Sequence, residues 1–234
     1  MRHSFLGFIF REAVMQSRAH RRQGMVAGLS LFALLALVGP QAAPAIDVKL
    51  SVEDAQKALE AGRIPMDKAN SPEDVKKVLQ QASLATRVGS DPEKDPCGAS
   101  AILRTKRFRL EAFGRQEAAE SKKQKKEIRM PDEFIKKVVD MPNMEVEVQL
   151  CGDDEYFAEG AQVAFQQGNK NIKPVDVSPA EKGRKNDGQG PAYRSRFTAR
   201  FAYDSFDPNG KTKVVVFFPD GKTSEFDADF SKVR

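Results

Sequence analysis

Lys213-Val214-Val215-Val216-Phe217-Phe218, then Pro219-Asp220-Gly221-Lys222, then Thr223-Ser224-Glu225-Phe226-Asp227-Ala228-Asp229-Phe230 is the stretch whose reading decides the fold class. Its second limb alternates Phe226, Ala228 and Phe230 with Glu225, Asp227 and Asp229, a period of two that sends apolar and acidic side chains to opposite faces of a strand. The Asp-Gly pair between the limbs supplies the positive φ that tight hairpin turns require. A lone hairpin cannot bury its apolar face, so further strands must lie upstream.

They are found there. Met144, Val146, Val148 and Leu150 alternate with Glu145, Glu147 and Gln149; Ala161, Val163 and Phe165 follow, then Phe197, Ala199, Phe201 and Tyr203. Phe108, Leu110 and Ala112 alternate with Arg107, Arg109 and Glu111 and read as a strand too. Short alternating runs broken by turn residues predict a mainly β fold, an antiparallel β-sandwich. The general look resembles the immunoglobulin-like sandwiches of secreted bacterial proteins, a resemblance of architecture that no motif carries. Pro131 to Met141, with Phe134, Ile135, Val138 and Met141, reads as a short helix between strands.

Before the strands the period is that of a helix. Ser51 is a candidate N-cap with Asp54 three residues on; Val52, Ala55, Ala58 and Leu59 form a stripe, and Gly62 is expected to end that helix. Ser71-Pro72-Glu73-Asp74 opens a second helix, with Val75, Val78, Leu79 and Ala82 on one face. The expected organisation is therefore a helical hairpin over 46–90, a linker over 91–100 rich in Pro and Asp, and the sandwich over 101–234. Residues 115–129 and 178–192 are expected to be mobile because they offer little to bury.

Residues 1–45 read as a signal peptide. Arg11, Arg18, Arg21 and Arg22 precede an apolar run of 14 residues, Met25 to Val38, and Ala43-Pro44-Ala45 offers small residues for cleavage before Ile46. The run is short of the roughly 20 residues that span a bilayer, which argues against the alternative of an uncleaved anchor. The expected location is periplasmic or secreted, with no membrane span after cleavage.

Removing the leader changes the charge and the chemistry. The chain's 38 basic and 33 acidic residues include five basic and one acidic in residues 1–45, leaving 33 and 32. The pI near 9.1 is largely the leader's, and no case for nucleic acid survives. His3 and His20, the only histidines, also lie there. A Ser-His-Asp or Cys-His site and a histidine metal site are thus excluded from the remainder, and no cofactor is implied.

Cys97 and Cys151 are the only cysteines, and in an oxidising compartment they are expected to pair. Asp153-Asp154-Glu155 offers too few oxygens for calcium. Asp207-Pro208-Asn209-Gly210-Lys211 has a calcium loop's outline, but its glycine comes too early and Phe218 stands where the bidentate Glu belongs, so a turn explains it. Asp227 and Asp229 share a strand face about 7 Å apart, a spacing near that of paired glycosidase acids. Solvation and edge protection are the plainer account. Lys122, Lys123, Lys125 and Lys126 are the candidate contact for an anionic partner, although a solvated loop is the plainer account of them; the loop 178–192 is the other candidate contact surface.

The sequence thus points to a non-catalytic binding or structural module of the cell envelope, meeting an envelope protein or an anionic polymer. The alternative is an extracytoplasmic hydrolase dependent on carboxylates or on a Ser/Lys pair.

Overall fold

The computed structural model of the chain describes residues 46–187 and 190–233. The expected leader lies outside the described residues. Two helices come first, α1 (Val52–Lys68) and α2 (Pro72–Leu84), followed by two short strands, β1 (Arg87–Gly89) and β2 (Ser100–Arg104). Two more helices, α3 (Lys106–Gln124) and α4 (Asp132–Val139), precede β3 (Asn143–Gly152). The remaining strands are β4 (Gln162–Gln167), β5 (Lys170–Ile172), β6 (Asp176–Val177), β7 (Arg184–Lys185), β8 (Tyr193–Ala202), β9 (Lys211–Phe217) and β10 (Thr223–Asp229).

The strands form two antiparallel sheets. One runs β1-β2-β3-β8-β6, with β7 also on β8; the other runs β10-β9-β4-β5. Each long strand buries alternate residues, as its period requires: Met144, Val146, Val148 and Leu150 from β3, and Phe197, Ala199 and Phe201 from β8. Val163 and Phe165 of β4 and Val214 and Val216 of β9 meet them from the other sheet in one shared core. The Phe165 and Phe201 rings stack across the two sheets with centroids 3.7 Å apart, and Phe206 and Phe230 pack edge-on around Phe165. The β9–β10 hairpin closes as its sequence dictates, with Gly221 at φ +83° and the Phe218 amide donating to the Lys222 carbonyl at 2.9 Å. These strand orders do not support the finer immunoglobulin-like label, because a 19-residue helix and a second, shorter one stand between β2 and β3.

The helices have a core of their own, built from Leu50, Ala55, Ala58, Leu59, Leu110, Ile135 and Val138. Ser51 caps α1 by accepting from the Asp54 amide at 3.0 Å, and Ser71 and Asp74 form a reciprocal capping box on α2. Pro131 to Met141 contains α4, as its stripe requires.

Three readings are corrected. Gly62 does not end α1; the helix continues to Lys68 with Pro65 inside it, and Gly62 is buried against α3. Residues 107–112 are not a strand but the start of α3, capped by the Thr105 hydroxyl, which accepts from the Phe108 amide at 3.1 Å. The residues α3 buries, Leu110, Gly114, Glu117 and Ala118, follow a helical period; Phe108 and Ala112 are only half-buried, so the alternation there reflects no sheet face. Residues 115–129 are not a free loop. Arg115 and Glu117 are buried in α3, and the Ile128 carbonyl accepts from Arg63 at 3.2 Å.

Candidate functional site

The period of β8 that buries Ser195, Phe197, Ala199 and Phe201 sends Arg194, Arg196, Thr198 and Arg200 to the outer face of the larger sheet. The register with β3 sets Arg194 opposite Cys151, Arg196 opposite Gln149, Thr198 opposite Glu147 and Arg200 opposite Glu145. Polar side chains cross this face in one connected line. Arg109 meets Glu145 at 2.7 Å, and Glu145 meets Arg104 at 3.1 Å. Arg104 also pairs with buried Glu147, which accepts from Gln149 at 2.8 Å. Gln149 in turn offers its one amide oxygen to both terminal nitrogens of Arg87, at 2.9 and 2.8 Å.

Arg87 is the poorly met end of that line. Its Nε is buried without a hydrogen-bond partner. Burial, and then the nearby charge of Arg194, hold its pKa below the usual arginine value. Beside it opens a cleft of about 450 Å³, lined by Gln149, Glu181, Arg184, Lys185, Arg194 and Arg196, with Asn186, Asp187 and Ser195 completing the wall.

The disulfide anchors one wall of this cleft. Cys97 and Cys151 are bonded with Cα atoms 5.3 Å apart, joining the loop between β1 and β2 to the end of β3. Asn186 donates to the Cys97 sulfur at 3.0 Å and to the Pro191 carbonyl at 3.3 Å. Arg194 donates to the Pro96 carbonyl at 3.1 Å and to the Asn186 side-chain oxygen at 3.4 Å. The cleft's outer wall is therefore tied to the cross-link rather than hanging free.

Its charge is unbalanced: four cations line it against Glu181 and Asp187. Glu181 meets Arg196 at 2.9 Å and Arg184 only at 3.8 Å. Among the described residues Arg194 donates to neutral oxygens and, like Lys185, has no ion pair. Arg184 and Arg194 also stand directly opposite each other in the β7–β8 pairing. Like charges in that position are unfavourable by roughly 0.2–1 kcal/mol, so the site is arranged to gain from an anion.

The four lysines named from the sequence are placed elsewhere; none lines the cleft. Lys122 donates to the Met66 and Ala69 carbonyls, both at 2.7 Å, and so closes the C-terminus of α1. Lys125 is the left-handed C-cap of α3, with φ 50°, while Lys123 and Lys126 are exposed. The cluster at 153–155 is engaged locally, Asp154 accepting from the Tyr156 amide and Glu155 pairing with Lys182 at 3.0 Å. Asp207 accepts from the Asn209 amide at 2.9 Å, the turn its sequence implies. Hydrogen bonds from Ser231 and then Lys232 hold the Asp229 carboxyl below the usual range, the opposite of what a general acid needs. Among the described residues no group of three or more His, Cys, Asp or Glu is placed to hold a metal ion.

Arg184 and Lys185 lie in the 178–192 segment that the sequence offered as a contact surface; sequence reasoning missed Arg87, Arg194 and Arg196. Part of the signal was present, since Arg194, Arg196 and Arg200 recur at period two against a buried face.

No protein-family profile matches the chain, and no curated protein matches it. Among solved structures, the archaellum periplasmic stator protein FlaG from Sulfolobus acidocaldarius aligns with 37% of this chain and 86% of its own, at 10% identity and a TM-score of 0.24. A likeness that distant carries no argument about what this protein does.

Proposed function

We propose that this is an extracytoplasmic, non-catalytic binding module whose arginine cleft takes the carboxylate or phosphate groups of an anionic envelope polymer. The observation that carries the reading is the juxtaposition of Arg184 and Arg194 in register, with Lys185 and Arg196 lining the same cleft and, among the described residues, Glu181 alone of the carboxylates paired with its cations. Concave sites that gather uncompensated charge of one sign concentrate ligands of the other. Placement outside the cytoplasm is supported by the Cys97–Cys151 bond, which a reducing compartment would not maintain, and by the leader-like composition of residues 1–45.

Titration calorimetry with polyphosphate and with poly-glutamate, using neutral dextran as control, tests it. Both polyanions should bind, more weakly as salt rises. The double variant Lys185→Gln/Arg194→Gln should lose at least about tenfold in affinity, the equivalent of 1.4 kcal/mol. Charge reversal of Lys123 and Lys126, the two of the four lysines without a helix-capping role, should leave binding in place. The reverse pattern would move the site to the α3 lysines, and turnover of a glycan, ester or peptide would end the non-catalytic reading. Secreted material should begin at Ile46 on N-terminal sequencing.

A further inference from the structure

Helix α2 is well started and poorly covered. It carries a capping box and a proline in its first turn, and Val75 and Val78 of its apolar stripe pack, half-buried, against Met66, Ala69 and Ala118, yet none of its residues is fully buried and the stripe's outer edge is left open. Leu79 is 51% exposed. A helix of 13 residues draws most of its stability from packing, and here only Val75 and Val78 supply it. Across from it, α3 presents Phe108, Ala112, Arg115 and Ala119, again at helical spacing. Between the two lies a groove of about 410 Å³ that also reaches Met66 of α1. Ala112 and Ala119 are small, which leaves room for another helix to approach closely.

The groove holds one charge. Arg115 is only 8% exposed and makes no hydrogen bond among the described residues; its ion pair with Glu111 is long, at 3.9 Å, and its guanidinium lies 5.9 Å from the Phe108 ring. Burial holds its pKa below the usual arginine value. A cation so placed calls for an occupant that brings a carboxylate next to an apolar helical stripe. The chain contains such a segment: α2 itself, where Glu73, exposed and outside any ion pair among the described residues, starts the helix that exposes Leu79 and Leu84.

We propose that the α2–α3 groove is a homodimer interface, occupied by α2 of a second copy, with the second copy's acidic first turn supplying the carboxylate for Arg115. Groove and occupant belong to the same surface, so the contact is isologous and closes as a two-fold pair rather than growing into a filament. This rests on features separate from the anion cleft and stands or falls without it.

Sedimentation equilibrium of the protein expressed from the full 234-residue chain tests it. The expected result is a concentration-dependent dimer. Leu79→Lys should weaken it at least about tenfold, since a central apolar residue in a desolvated contact commonly contributes that much. Glu73→Lys should weaken it too and should remove its salt dependence. Both substitutions fall on exposed positions, and unchanged circular dichroism and unfolding midpoint verify the fold. A monomer at every concentration overturns the proposal and leaves the groove to a different chain. A dimer whose constant neither variant moves overturns it as well.

Discussion

Gly114 of α3 rests directly against the main-chain carbonyl of Leu59 in α1. A β-carbon there would stand 2.8 Å from the carbonyl carbon and closer still to the oxygen. The contact is reciprocated, since a β-carbon at Gly62 of α1 would stand 2.8 Å from the Glu111 Cα. The two helices therefore cross with their backbones touching, and the glycines are what permits it.

Gly62→Ala and Gly114→Ala should each destabilise the protein, against the sign that helix propensity implies. Propensity alone favours Ala over Gly by about 1 kcal/mol inside a helix. The obstructing atoms are backbone, which cannot move aside without separating the helices, so a net loss of about 2 kcal/mol is expected. Urea denaturation of each variant measures it. An increase in stability would mean that α1 and α3 are free to part.

Arg63 and Glu117 form a buried ion pair at 2.9 Å, with side chains 8% and 4% exposed. Glu117 also accepts from the Met130 amide, and Arg63 donates to the Ile128 carbonyl at 3.2 Å. Glu117→Gln keeps an acceptor for Met130 but leaves Arg63 charged in a dry site, with only Glu60 at 3.9 Å. It should cost about 3 kcal/mol. Adding Arg63→Met should recover much of that loss; a double-mutant cycle with no coupling would contradict the pairing.

Tyr203 should ionise late. Burial raises its pKa to about 12, although the Lys106 amide donates to its oxygen at 3.1 Å and works the other way. The folded value lies above the unfolded one near 10, so this contribution is fully present below pH 10 and is lost as pH rises toward 12. The loss amounts to about 2–3 kcal/mol. Ultraviolet titration should show a late phenolate that Tyr203→Phe removes. That variant should also lose part of the stability decline between pH 10 and 12.

Reducing the Cys97–Cys151 bond, or replacing both residues by Ser, should lower stability by about 4 kcal/mol, from a closed loop of 54 residues on the chain-entropy estimate. It should also free the loop between β1 and β2. Trypsin cleavage after Lys94, which lies in that loop, should be slow in the oxidised protein and fast in the reduced one. Equal rates would show that the disulfide does not hold the loop.

Strands β3, β8, β9 and β10 were legible because a residue whose neighbours alternate between core and solvent records that alternation in its own polarity. Helix α3 was not legible, since Arg115 and Glu117 are buried charges. Glu117 is met by Arg63 and the Met130 amide, while Arg115 has only the long contacts to Glu111 and the Phe108 ring among the described residues. No local pattern announces partners 54 and 13 residues away. With those two residues polar and Phe108, Leu110 and Ala112 evenly spaced, the period reads as two although the backbone is helical.

By itself the sequence determined the antiparallel sheets, the capped helices and the β9–β10 turn, because each depends on local period and on the φ preferences of a few residues. It also determined that histidine chemistry is absent after residue 20. Only the tertiary structure decided that Lys122 closes a helix end while Arg184 and Arg194 face each other. A charged side chain's role depends on which distant groups neutralise it, and the chain brings those groups together only on folding.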